Sequence, residues 1–289
     1  MMDALRRRDF DARCMEMERG DWAQVFTRGL PNPTFWAGAA TTAPHYSWYL
    51  ERLMAAVEDA GGEDVVLVAH SAGGWLARAF VNDPAPGAAP PPRVSPGLGA
   101  RALSLAERRA ANAKRRRNDH ANHGVSAVVT LGSPQRPPPR PSRDFTGGAV
   151  TFVNRLTASR VGEPDAPAFV CVAGRAVAGW PSATSGGEER LKQTLGARGY
   201  DAADPAAAQQ PLGRAPSTPE ELYWTQRASN GYAEVSGNGF GIGDAVVPVS
   251  SALLPRATNV VIDGAFHAPD GPVWYGSDEV LDAWLSSVP

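Results

Sequence analysis

Apolar residues form two kinds of pattern in the first third of the chain, a helical stripe and a continuous run. The stripe repeats at intervals of three and four residues and predicts a helix over 46–59 that ends at Gly61-Gly62. Its members are Tyr46, Tyr49, Leu50, Leu53, Met54 and Val57. The run over 65–69 is entirely apolar and predicts a buried strand. A second helix is predicted over 73–82, ending before Asp83-Pro84.

Three further apolar runs predict strands in the rest of the chain, over 125–131, 169–173 and 259–263. A weaker pattern over 12–17 predicts a short first strand, and Ser277 predicts the start of a final helix with an acidic first turn. Strands that alternate with helices indicate an α/β fold, with a mostly parallel sheet covered by helices on both faces. Active groups in such a sheet gather at the carboxyl ends of the strands.

Long segments between these elements carry no periodic pattern. Residues 84–123 are rich in Pro, Ala and Arg and hold eight Lys or Arg against two acidic residues, which predicts a basic, disordered insert. Nucleic-acid binding or targeting is the alternative, but no aromatic residue is interleaved with these cations, so no nucleic acid is expected. Residues 134–148 are predicted to be a Pro/Arg-rich loop and residues 175–240 an irregular, lid-like excursion. We interpret residues 1–289 as a single domain interrupted by these segments.

Composition narrows the class of protein. The chain has 289 residues, of which 43% are apolar and 20% charged, with a net charge of −2, as expected for a soluble globular domain. No apolar run reaches the roughly 20 residues of a membrane span, and no signal-peptide pattern is present. Cys14 and Cys171 lie in apolar, strand-like surroundings and are expected to be buried free thiols. Since no Cys, His and carboxylate cluster has metal-ligand spacing, neither a metal nor another cofactor is expected.

Candidate chemistry begins where the strand over 65–69 ends, in Ala69-His70-Ser71-Ala72-Gly73. The pattern resembles the nucleophile elbow of α/β-hydrolases, Gly-x-Ser-x-Gly, with Ala69 in place of the first glycine. Small residues are needed there because strand and helix pass close together around a strained nucleophile. An ordinary turn after a buried strand is the alternative. The motif predicts Ser71 as the nucleophile and the Ala72 N–H as an oxyanion donor.

A serine nucleophile needs a base, and the base needs a carboxylate that orients it. In α/β-hydrolases the acid and then the histidine follow the serine along the chain. His267 comes directly after the last predicted strand and is our candidate base, with a surface-loop histidine as the alternative. Asp244, in the Gly-rich segment 241–251, is the candidate acid. Its competitors Asp201 and Asp204 lie in the irregular region, and Asp263 is too close to His267.

The remaining histidine and tryptophan candidates concern the pocket. His70 is expected to point away from the nucleophile and to be structural. His45 either lines the pocket or only begins a helix. Trp36 and Trp48 are predicted to bind substrate, whereas core packing is the preferred interpretation of Trp75.

A wider resemblance joins these motifs. The chain is similar to a plant or algal, lipase-like branch of the α/β-hydrolase superfamily and to the GPI inositol-deacylase-like group. The matching pieces are residues 32–36, 48–50, 69–74, 131–134, 243–248, His267 and 274–277. The resemblance implies a serine ester hydrolase with a Ser71-His267-Asp244 triad, a small-molecule or lipid ester as substrate, and possible plastid localisation. It does not define the substrate, because the superfamily covers many reactions.

The start of the chain departs from this pattern. These hydrolases begin with several strands and a Gly-containing loop that supplies one oxyanion N–H, whereas only one strand is predicted before Trp22. The first strands are therefore expected to be missing, with the second donor supplied by the Gly29–Trp36 loop or by residues upstream. The alternative functions are a catalytically impaired binding protein and an acyltransferase on the same fold.

Overall fold

The computed structural model describes residues 1–61, 63–82, 124–158, 160–179 and 218–289. Four parallel strands form the main sheet, and their order is β1-β2-β3-β6. These are β1 (Val65–His70), β2 (Val125–Leu131), β3 (Ala168–Arg175) and β6 (Thr258–Asp263). Each lies where an apolar run predicts a strand, and the observed strands begin or end up to two residues beyond the predicted bounds.

Helices cover both faces of this sheet. On one face, α4 (Ser47–Asp59), α5 (Ala72–Asn82) and α6 (Ala149–Thr157) form a core with inward side chains such as Leu67, Val128 and Phe169. On the other, α1 (Met2–Arg6) and α9 (Asp278–Leu285) pack on Val129, Leu131, Val170 and Val172. Successive strand residues point to opposite faces, so a continuous apolar run supplies both cores. The predicted α/β fold with a mostly parallel, doubly covered sheet is confirmed.

Shorter elements complete the fold beside the sheet. A 3-10 turn (Arg19–Trp22) leads into α2 (Ala23–Gly29) and α3 (Pro33–Trp36), ahead of α4. Strands β4 (Val177–Gly179) and β5 (Gly241–Gly243) pair antiparallel, and α7 (Pro219–Ser236) packs on them. Helix α8 (Val249–Ala252) packs on β3. None of the helices among the described residues is long and apolar enough to cross a membrane.

Several local predictions differ from the structure. Residues 12–17 form no strand, and Cys14 is exposed, whereas Cys171 is buried as expected. Within the predicted irregular region 175–240, residues 219–236 form an 18-residue helix. Residues 134–148 form turns and bends, in keeping with the predicted loop. The predicted basic insert (84–123), the competitors Asp201 and Asp204, and residues 180–217 lie outside the described residues.

Candidate active site

Ser71 occupies a strained turn between β1 and α5. Its φ is +54°, a left-handed conformation that non-glycine residues rarely adopt. The turn is held by its backbone N–H, which donates to the Leu131 carbonyl at 2.9 Å. A Cβ at Gly74 would collide with the Ser133 hydroxyl, so a larger residue there would push α5 away from β2. The small residues that the motif predicts are therefore required by the close approach of helix and strand.

His267 lies between Ser71 and Asp244, in the loop that follows β6. Its Nε2 is 3.1 Å from Ser71 Oγ, and its Nδ1 is 2.8 Å from Asp244 Oδ2. With the Nδ1 proton donated to the carboxylate, Nε2 is left as the acceptor for the serine hydroxyl. His267 is nearly buried and Asp244 is fully buried, so water has little access to the bond between these two, whereas Ser71 is only partly buried. The structure thus brings together the three residues that the sequence predicts as a triad.

The Asp244 carboxylate accepts hydrogen bonds at both oxygens. Oδ1 accepts from the backbone N–H groups of Val246 and Val247, at 3.0 and 2.7 Å. Oδ2 accepts from His267 and from the hydroxyl of Tyr275, the latter at 2.7 Å. A buried carboxylate needs such donors because burial without partners is costly. The arrangement fixes which way Asp244 faces, and so where it holds the imidazole.

Tyr275 is a site residue whose contact with Asp244 was not predicted from the sequence. Its hydroxyl donates to Asp244 and accepts from the backbone N–H of Gly174, both at 2.7 Å. Burial, followed by the negative charge of Asp244, raises the pKa of Tyr275 well above its ordinary value, so the phenol keeps its proton. The resemblance includes Tyr275 in the matching segment 274–277, but no spacing in the sequence indicates its contact with the acid.

His70 contacts the base from behind. Its Nε2 lies 2.7 Å from the His267 carbonyl oxygen, and the two ring centroids are 4.5 Å apart. Burial, and secondarily the nearby His267, lowers the pKa of His70 to about 4. His70 is therefore neutral at pH 7, and because a carbonyl only accepts, it is Nε2 that carries the proton. The bond holds the backbone of the His267 loop.

A groove of about 260 Å³ opens beside Ala72, the residue after Ser71. Its walls are mainly apolar and come from the 3-10 turn, α2, α4, α5, α6, α7 and the 134–148 loop. The apolar and aromatic lining includes Trp22, Val25, Phe26, Tyr46, Trp75, Pro134, Phe145, Val150 and Val235. Trp75 belongs to both the core and the groove. The groove provides an apolar surface next to the nucleophile.

The predicted substrate-binding residues Trp36, His45 and Trp48 do not line this groove. Trp48 is buried in the core with its ring edge against Trp22, 5.7 Å between centroids. His45 is fully buried, neither of its ring nitrogens has a hydrogen-bond partner in the part of the chain that the structure describes, and burial lowers its pKa. Trp36 is 58% exposed on the surface. Their role in substrate binding stays a prediction, because the aromatic pattern of the sequence does not distinguish a side chain that faces the core from one that faces a cavity.

The oxyanion donors are only partly accounted for. Ala72 begins α5 directly after Ser71, where helix N–H groups lack intrahelical partners. In the predicted Gly29–Trp36 segment, the N–H groups of Asn32, Thr34 and Phe35 already bond within the segment, and that of Leu30 donates to the Phe26 carbonyl. Those four amides therefore do not support this segment as the second donor. No group of three His, Cys, Asp or Glu side chains among the described residues is placed to hold a metal ion.

Comparison with known proteins gives few matches. Neither the protein-family models nor the curated proteins contain a match to this chain. Among solved structures, the lipase BlEst2 of Bacillus licheniformis in its mature form aligns with 76% of this chain, at 15% identity and a TM-score of 0.34. The alignment spans 66% of the lipase chain, slightly less than two thirds of its length.

Proposed function

We propose that this protein is a serine hydrolase of the α/β-hydrolase superfamily that cleaves carboxylic esters. The observation that carries the proposal is the continuous hydrogen-bond line from Ser71 Oγ through His267 to Asp244, at 3.1 and 2.8 Å. The strained Ser71 backbone, between a parallel strand and a helix, supports it. The narrower resemblance to plant lipase-like proteins, with a possible plastid location, stays a prediction.

In the proposed reaction, Ser71 Oγ attacks the ester carbonyl carbon while His267 Nε2 takes the hydroxyl proton. The carbonyl oxygen becomes an oxyanion beside the Ala72 N–H. The tetrahedral intermediate collapses when the C–O bond to the alcohol breaks, and the His267 proton goes to the departing alcohol. Water, deprotonated by His267, then attacks the acyl-enzyme and releases the carboxylic acid and free Ser71.

Each neighbour of the triad has a role in this proposal. Asp244 stabilises the imidazolium that forms on His267, and it stays ionised in the process. Tyr275 and the two backbone N–H groups at Val246 and Val247 hold that carboxylate in one orientation. His70 holds the backbone that carries the base. These are positioning contacts, since none of them touches the reacting carbonyl.

The groove beside Ala72 favours an ester with an apolar acyl group. Its lining is mainly apolar, so methylenes of an acyl chain that enter it are removed from water. Each buried methylene contributes about 0.8 kcal/mol to binding. We therefore expect kcat/KM to rise with acyl length in a series of short to medium-chain esters.

A fluorophosphonate probe tests the nucleophile directly. We expect the probe to label the full chain at Ser71 and to leave Ser71→Ala unlabelled. Asp9→Ala is a matched control, because Asp9 also has positive φ in a turn but lies outside the site, and it should be labelled as strongly as wild type. Equal labelling of wild type and Ser71→Ala, or labelling of neither, would overturn the proposal.

Two alternatives share this geometry, and activity assays separate them from hydrolysis. An acyltransferase would transfer the acyl group to an added alcohol in preference to water, which product analysis measures. A catalytically impaired binding protein would bind esters but show no turnover that depends on His267. Ester turnover that His267→Ala abolishes, with ligand binding retained, rules out the impaired form.

A further inference from the structure

An exposed apolar patch lies at the surface near α2, α3 and the 134–148 loop. Phe26, Leu30, Trp36 and Phe145 are each more than half exposed. They make up four of the eight large apolar side chains that are exposed among the described residues. Clustered exposed aromatic side chains are uncommon on a monomeric surface and mark an interaction site.

The four side chains are linked to one another by specific contacts. Phe26 and Leu30 lie one turn apart on the same helical face, and the Trp36 indole N–H donates to the Leu30 carbonyl at 2.9 Å. The Arg143 guanidinium lies 5.7 Å from the Trp36 ring centroid and 5.5 Å from that of Phe145. The patch is therefore continuous from α2 to the 134–148 loop.

This patch adjoins the groove beside Ala72. Phe26 and Phe145 belong both to the exposed patch and to the groove lining, whereas Trp36 and Leu30 belong to the patch alone. The patch is therefore continuous with the apolar lining of the groove, and an ester taken from a surface under the patch would reach the groove along apolar side chains.

The charge of the patch favours one kind of partner. Arg143 stacks between two exposed rings, and Arg136 lies on the groove lining in the same loop. Two acidic residues, Asp144 and Glu234, also line the groove. Asp144 is bound to the backbone N–H groups of Thr146 and Gly148, and Glu234 lies on α7, outside the patch. Aromatic rings and arginine side chains are the groups that lie in the headgroup region of a lipid bilayer, with the rings below and the cations at the phosphates.

We propose that this patch adsorbs to a lipid bilayer surface that contains anionic phospholipid, with Trp36, Leu30, Phe26 and Phe145 inserted at the headgroup level and Arg143 at the phosphates. The link to substrate delivery rests on the proposed function. Adsorption of the patch to a bilayer does not rest on the proposed function, because adsorption depends only on exposed side chains outside the triad.

Vesicle sedimentation tests the patch. The full chain with Ser71→Ala is used as the background, so that no lipid is cleaved, and is mixed with vesicles of phosphatidylcholine and phosphatidylserine. We expect it to sediment with these vesicles, with Trp36→Ala lowering the partition coefficient about tenfold through the lost apolar burial. Arg143→Gln should weaken binding to anionic vesicles and leave binding to pure phosphatidylcholine vesicles unchanged.

Phe10→Ala is the matched control, because Phe10 is a comparably exposed apolar residue outside the patch, and it should leave the partition coefficient unchanged. No vesicle binding, or equal losses in Trp36→Ala and Phe10→Ala, would overturn the inference. So would a stable dimer in solution that Trp36→Ala dissociates, since the patch would then bind a second copy of the chain. Absence of esterase activity in the chain that keeps Ser71, with vesicle binding intact, would overturn the proposed function alone.

Discussion

Tyr275 and His267 share one acceptor, Asp244 Oδ2, at 2.7 and 2.8 Å. Tyr275→Phe removes one of the two donors, so the Asp244 carboxylate is held less firmly and positions His267 less precisely against Ser71. We expect kcat/KM to fall about tenfold, the lower end of what one hydrogen bond to a charged group contributes.

Tyr232→Phe is the matched control for this change. The Tyr232 hydroxyl donates to the Val177 carbonyl and accepts from the Ala245 N–H, so it supports the same loop and leaves the Asp244 carboxylate untouched. Its kcat/KM should therefore stay close to that of wild type. Equal kcat/KM in wild type and both variants would contradict the positioning role of Tyr275.

For single residues, the sequence predicts those whose roles are marked by a local sequence pattern. Ser71 is marked by small neighbours after an apolar run, and His267 by its place after the last strand. Tyr275 and His70 act through partners about 30 and 200 residues away in the chain, at Asp244 and His267. No local pattern encodes those contacts, so they become visible only when the strand ends are brought together.

Arg78 connects three elements from within α5. Its two Nη atoms donate to Gln135 after β2 and to Asn154 and Thr157 on α6, at 2.6 to 2.7 Å. Arg78 is buried, its Nε has no partner among the described residues, and burial lowers its pKa to about 10, so it stays protonated at pH 7. Arg78→Ala leaves three acceptors unpaired, two of them on buried residues, and we expect the free energy of unfolding to fall by about 3 kcal/mol in urea denaturation.

Arg256→Ala provides the comparison for Arg78→Ala. Arg256 pairs with Glu163 at 2.7 Å, but both side chains are about half exposed. Exposed pairs contribute at most about 1 kcal/mol, so this variant should unfold close to wild type. Equal effects of the two substitutions would show that Arg78 does not join α5, α6 and the loop after β2.

Helix α7 shows why one element was missed in the sequence. Few of its residues are buried, namely Ala228, Ser229 and Tyr232, so it has no apolar stripe. Its ends carry signals nonetheless, because Thr218 and Glu221 form a capping box and Gly237 ends the helix in a left-handed conformation. Periodicity predicted α4 and α5, whereas α7 is encoded by its caps. The prediction of a strand over 12–17 was wrong for the opposite reason. The segment carries a weak apolar pattern, but it pairs with no other strand among the described residues, so no strand forms.

The whole molecule gathers most of its candidate site at the carboxyl ends of β1, β2, β3 and β6, whereas Asp244 follows β5 in the second sheet. The alternation of strands and helices is enough to predict that the ends of the parallel strands meet. The groove was not predictable, because its walls come from segments that span residues 22–235 and meet only in the folded chain. The same long-range packing links the back of the sheet to the site, where the buried Trp284 indole N–H donates to the Tyr275 carbonyl at 3.0 Å.

The pH dependence of global stability follows from His70. Its pKa falls from 6.5 to about 4 on folding, chiefly through burial, so between these pH values the unfolded chain binds a proton that the folded chain excludes. The neutral, buried His70 therefore contributes stability that is fully present above pH 6.5 and is lost as pH falls toward 4. The loss in the free energy of unfolding is about 2 kcal/mol at pH 5. His70→Gln keeps a donor for the His267 carbonyl but cannot titrate. Between pH 7.5 and pH 5.0, the free energy of unfolding measured by urea denaturation should fall by about 2 kcal/mol less in His70→Gln than in wild type. The contribution of His45 is the same in both proteins. Equal losses in the two proteins would show that His70 is not excluded from protonation by the fold.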